Sequence, residues 1–141
     1  AIRIDPNYSS AHFHKGIALR GLNRLDESAE QYAESVRLNP EFTQARLFLG
    51  MERMRQNRFG EATKQLAIVA RMRPDQAGIL AQYGLALEKT GRLDEAIVPF
   101  REALRLQPEQ EEAKKELEAI AGGPDADAAA AAKEALDNLN K

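Results

Sequence analysis

Residues 79–108 read ILAQYGLALEKTGRLDEAIVPFREALRLQP, two apolar-studded segments parted by Thr90-Gly91 and closed by Gln107-Pro108. Apolar side chains recur every three or four positions, the rhythm of an amphipathic helix rather than the alternation of a strand. Moving outward, the same pattern returns on both sides. Pro6, Pro40, Pro74 and Pro108 stand 34 residues apart, and Gly16, Gly50 and Gly84 keep the same step. The chain is an array of one repeated unit, with copies at 9–42, 43–76 and 77–110. The opening AIRIDPNY matches SVRLNPEF and ALRLQPEQ, so residues 1–8 are expected to be the end of a preceding copy within a longer protein.

In the first copy Ala11, Ala18 and Leu19 lead one helical segment, and Leu25, Tyr32, Val36 and Leu38 lead the next. Breaks are expected at Gly21-Leu22-Asn23, Gln56-Asn57 and Thr90-Gly91 within copies, and at Asn39-Pro40, Arg73-Pro74 and Gln107-Pro108 between them. Joints this short force adjacent helices to run antiparallel. A unit of this size cannot bury its own apolar face and must stack on its neighbours, which leaves function to a surface of the stack.

These residues resemble the tetratricopeptide repeat, a helix-turn-helix unit of the same period, over residues 1 to about 121. The resemblance implies an all-α fold, an α-solenoid closed by a capping helix. It assigns the small residue at the helix crossing to Gly16, Gly50 and Gly84, and the alanine of the second helix to Ser28, Ala62 and Ala96. Tyr32, Leu66 and Phe100 take the large apolar position of the second helix, and Ser35, Val69 and Ala103 the later small one. The early aromatic of the first helix is replaced by His12, Arg46 and Leu80. Arg46 and Arg53 fall where core is expected, so their stems should pack while the guanidinium groups reach solvent or a carboxylate. Pro99 should kink or loosen the helix that holds it.

Residues 111–121 form a capping helix with Ala113, Leu117 and Ile120 on one face, stopped by Gly122-Gly123-Pro124. The alanine-rich end of 122–141 has strong helix propensity. Its stripe of Ala129, Ala132, Leu136 and Leu139 is expected to dock on the last repeat, the alternative being a groove of its own or a neighbouring molecule.

Apolar residues make up 43% of the 141 and charged residues 30%, ordinary values for a globular chain. Zero cysteines exclude a disulfide framework and a thiolate zinc site. No stretch nears the ~20 apolar residues of a membrane-spanning helix. The net charge of −2 conceals a basic middle, seven basic against three acidic residues over 43–76, and an acidic end, nine acidic against four basic over 109–141. The arginines lack interleaved exposed aromatics, which argues against nucleic acid as a partner. His12 and His14 stand two apart and cannot share a metal as an i, i+4 pair does. No lysine-serine or lysine-threonine pair follows the glycines as a phosphate loop requires. Neither catalysis nor a metal or cofactor is expected.

The resemblance places the first helices of successive units along a concave groove. Its lining would be Phe13, His14, Ile17 and Arg20 from the first copy, with Ser10 and Gly21. The second copy would give Gln44, Leu47, Phe48, Met51, Met54 and Arg55. The third would give Gln82, Leu85 and Lys89, with Gly78, Ala81 and Glu88. Ala45, Leu49 and Gly50 already supply a core face for the second copy's first helix, which frees Leu47, Met51 and Met54 for a ligand, the alternative being that these side chains are themselves core. The expected function is a protein-interaction scaffold that takes an apolar peptide or amphipathic helix. Alternatives are an assembly module that self-associates through its groove and C-terminal helix, or the repeat part of a larger enzyme. The family's chaperone-tail binders clamp a terminal carboxylate with lysine, arginine and asparagine. The matching positions here are Phe13, Ile17, Phe48, Gly78 and Gln82, so an acidic chaperone tail is not expected as a ligand.

Overall fold

The computed structural model describes the backbone of residues 6–139 and the side chains of 8–139. The expectation for residues 1–8 lies mostly outside that range. The described residues form eight helices and no strand: α1 (Pro6–Gly21), α2 (Leu25–Leu38), α3 (Thr43–Arg55), α4 (Phe59–Met72), α5 (Ala77–Lys89), α6 (Leu93–Leu106), α7 (Glu111–Ala121) and α8 (Ala126–Asn138). The fold is an all-α array of helix-turn-helix units. It divides into two compact units, residues 1–65 and 66–141.

The turns α1–α2, α3–α4 and α5–α6 share one device. Asn23, Asn57 and Gly91 adopt the left-handed conformation at φ 62°, 61° and 80°. Glycine enters that region freely, and asparagine does so more readily than other side chains. One residue later the amides of Arg24, Arg58 and Arg92 donate back to the carbonyls of Leu19, Arg53 and Leu87 at 2.8–2.9 Å, a Schellman-type closure. The α7–α8 turn differs, since Asp125 has φ −79°. There the Asp125 carboxylate caps α8 by accepting the Ala128 amide at 3.1 Å. Gln110 caps α7 in the same way through the Ala113 amide at 2.9 Å.

In the first unit α1 and α2 lie antiparallel, because Ser9 meets Ser35 while Gly16 meets Ser28. The Ser9 hydroxyl donates to the Ser35 carbonyl (2.9 Å), Ser35 returns the bond to the Ser9 carbonyl (2.8 Å), and Ser28 donates to the Gly16 carbonyl (2.7 Å). A Cβ on Gly16 would stand 2.6 Å from the Tyr32 ring, so the crossing is closed by a hydrogen atom against an aromatic edge. Phe13, Tyr32, Val36, Ala45 and Leu49 form the core cluster, with Ala33, Phe42 and Phe48 against it.

The second unit repeats the crossing with Gly84 against Phe100, again at 2.6 Å from the position of an added Cβ. Ala96, Ile97, Phe100, Ala103 and Leu104 bury the inner face of α6. Pro99, expected to disturb this helix, is buried inside it, and α6 runs on from Leu93 to Leu106. α7 packs on α6 and α5, and α8 packs on α7 and α6. α7 and α8 thus form a further helix pair packed on the last repeat. Ala128, Ala129, Ala132 and Ala135 face inward. Leu136 and Leu139, expected to lead that contact, are half-buried beside Pro108, Lys114 and Glu118 around an open pocket of about 240 Å³. Alanine methyls let α8 approach closely and leave the leucines at the margin.

Candidate functional site

In the first unit α1 and α3 meet at Phe48, whose ring lies against Phe13 and under Arg20. Ile17 is 38% exposed, and Leu47, Phe48, Met51 and Met54 are half-buried. Gln44, Arg20 and His14 are exposed. The Arg20 guanidinium lies 5.6 Å from the centre of the Phe48 ring, a cation–π contact at the rim. His14 is tethered to its own helix, its Nδ1–H donating to the Ser10 carbonyl at 2.8 Å.

Two of the expected lining residues lie elsewhere in this unit. Phe13 is only 6% exposed and sits among Phe42, Phe48 and Tyr32, with ring centres 5.0, 5.6 and 5.9 Å away. Three aromatic neighbours make the interior more favourable for it than a surface. Arg55 turns to acidic partners, with Nη2 2.7 Å from Asp26 and Nε 2.8 Å from Glu52. Gln56 adds a 3.0 Å bond to Asp26, and with Arg55 it holds that carboxyl below its ordinary range. Arg55 therefore ties α3 to the first turn of α2.

Electrostatically this face is free of competing acid. The described part of α1 carries no acidic residue, and the one acid of α3, Glu52, is buried against Arg55.

The two arginines expected at core positions resolve differently. Arg53 finds Gln56 at 2.7 Å and Glu61 at 3.3 Å. Arg46 is 9% exposed, and its hydrogen bonds go to neutral acceptors instead of a carboxylate. Its Nη1 donates to Gln65 Oε1 at 2.7 Å and its Nη2 to the Pro40 carbonyl at 2.8 Å. Burial lowers its pKa. One repeat earlier His12 Nδ1–H donates to Gln31 at 2.7 Å, the same pairing of positions. One repeat later both positions are apolar, Leu80 and Pro99, and both are buried. A proline stands where no polar partner is needed.

In the second unit two of the expected residues, Gln82 and Glu88, meet α7. Gln82 is half-buried and donates through Nε2 to Glu112 at 3.1 Å. Leu85 is half-buried, Lys89 and Gly78 are exposed, and Ala81 is completely buried in place of lining a surface. Glu88 is half-buried beside Glu116. Carrying the repeat register from Gln44 and Phe48 two steps onward lands on Glu112 and Glu116. That signal was present in the sequence.

Among the described residues no group of three histidine, acidic or cysteine side chains is arranged to hold a metal ion. No described helix is long and apolar enough to cross a membrane.

Helical hairpins repeated at one register define a repeat module. The tetratricopeptide repeat family model matches residues 13–51 and 47–111, and the chain belongs to that family. No curated protein matches it in sequence. Among solved structures it is similar to MamA AMB-1, at 27% identity and a TM-score of 0.76, over 96% of this chain and 78% of that one. It is also similar in fold to the first TPR of Spaghetti (RPAP3) bound to the HSP90 peptide SRMEEVD, at 19% identity and a TM-score of 0.75, over 84% and 94% of the two chains. The second TPR domain of human RPAP3, in complex with the HSP70 peptide SGPTIEEVD, gives 19% and 0.75 over 84% and 100%.

Proposed function

We propose that the chain is a non-catalytic interaction scaffold whose α1/α3 face binds an apolar peptide or amphipathic helix of another protein. The observation that carries this reading is the strip of Ile17, Leu47, Phe48, Met51 and Met54, part-exposed beside a core that Ala45 and Leu49 already complete. An apolar strip with a polar rim is the usual mark of an interaction surface. Methionine suits such a surface because its flexible thioether adapts to different apolar shapes.

Burying side chains of this kind contributes about 1.5–3 kcal/mol each. Association opposes this with roughly 4–15 kcal/mol. A strip of this size supports modest, reversible affinity. Arg20 at the rim, with no nearby free carboxylate on α1 or α3, favours a ligand that sets an acidic residue next to its apolar ridge.

The RPAP3 domains with bound peptides lend weight to peptide recognition in general. The ligand proposed for this chain is of another kind. Phe13, Ile17, Phe48, Gly78 and Gln82 stand at the positions where the family's chaperone-tail binders place their carboxylate clamp. None of the five carries a positive charge.

Selection of a random peptide library on the intact chain, with NMR mapping of the enriched sequences, tests the reading. The expected outcome is peptides with apolar residues at i, i+3 or i+4, and i+7, which shift α1 and α3 resonances and lose binding to Ile17→Glu/Met51→Glu. Enrichment of acidic C-terminal tails that bind this variant equally well would overturn it.

A further inference from the structure

Away from the α1/α3 face, the second unit places two carboxyl groups against each other where α5 meets α7. Glu88, on α5, is half-buried, and its Oε2 is shut off from solvent without a hydrogen-bond partner among the described residues. Glu116, on α7, lies within hydrogen-bonding reach of the same side chain. Two ionised carboxylates repel, whereas one proton between them converts that contact into a hydrogen bond.

The neighbours do little to relieve the pair. Lys89, next to Glu88 on α5, is the cation that acts on it. Glu112, one turn before Glu116, is occupied by the Gln82 amide at 3.1 Å. α6 turns Ala96, Ile97, Phe100 and Ala103 inward and brings no charge to the pair.

We propose that Glu88 and Glu116 form a proton-held latch between α5 and α7, closed when one proton is shared and loosened when both groups are ionised. The device is distinct from the ligand face and does not depend on it. Burial first, then the Glu116 carboxyl, push the Glu88 pKa up to about 7. A carboxyl whose pKa is raised on folding binds its proton more tightly in the closed state. Its stabilising contribution is complete below the unfolded value of 4.5, shrinks as pH climbs toward 7, and is gone above it. Because α7 packs on α5 and α8 packs on α7, the α7–α8 pair is the part released.

The experiment is a carbon-detected NMR titration of the glutamate side chains of the intact chain, together with amide hydrogen exchange over residues 111–138 from pH 5 to pH 8, corrected for intrinsic exchange. Glu88 is expected to titrate near neutrality. Local opening of α7–α8 should rise about tenfold or more between pH 5 and pH 7 and then level off, as one linked proton requires. Glu88→Gln should flatten that rise while the chain stays folded. Titration of Glu88 in the ordinary carboxylate range would overturn the proposal, as would an unchanged pH profile in Glu88→Gln. The wild-type titration decides the matter alone should the variant fail to fold.

Discussion

The α1–α2 and α5–α6 hairpins share a backbone and differ in what seals them. Ser9, Ser28 and Ser35 close the first through hydroxyl bonds to carbonyls of the facing helix, while the corresponding Ala77, Ala96 and Ala103 close the other with methyl groups. Tyr32 and Phe100 each press an aromatic edge onto a glycine. The His12–Gln31 bond of the first hairpin gives way to buried Leu80 and Pro99 in the other. The repeat geometry therefore depends on side-chain size at the crossing. Polarity is tolerated wherever a carbonyl or amide lies close enough to satisfy it.

The sharpest way to break this comparison is to remove the common element, size. Phe100→Ala takes a completely buried ring from against Gly84 and should destabilise the chain by about 3–5 kcal/mol in denaturant unfolding. A loss under about 1 kcal/mol would show that the crossing does not depend on the ring. A smaller effect of opposite sign sharpens the contrast. The Tyr32 hydroxyl is buried with no hydrogen-bond partner among the described residues, so Tyr32→Phe makes the first hairpin resemble the other and relieves an unsatisfied group. A gain of about 1 kcal/mol is expected, and a clear loss would reveal a partner for that hydroxyl.

Legibility in the sequence followed the same division. The repeat register exposed the glycine crossings at Gly16 and Gly84, the large residues at Tyr32 and Phe100, and the breaks at Asn23, Asn57 and Gly91, but not that Ala11 and Ala18 face solvent. It did not reveal which neighbour a side chain would choose. Phe13 went to the core because Phe42, from the loop before α3, came to meet it. Arg55 left the expected lining for Asp26, a residue twenty-nine positions earlier in the chain. In α8 the expected Ala129 and Ala132 do face inward, but Ala128 and Ala135 extend that face where Leu136 and Leu139 were expected, because helices approach more closely over methyls than over leucines.

Charge was least legible of all. Glu112 and Glu116 fall on the expected register, yet the proximity of Glu116 to Glu88 depends on how α7 settles on α5, which periodicity does not specify.

The central claim is that Ile17 and Met51 serve a ligand and are not required by the core. Circular dichroism and thermal unfolding of Ile17→Glu/Met51→Glu test it most directly. The account predicts unchanged helical content and a melting temperature within a few degrees of wild type, as substitutions away from the core usually give. Loss of cooperative unfolding or of helical content would place these side chains in the core and contradict it.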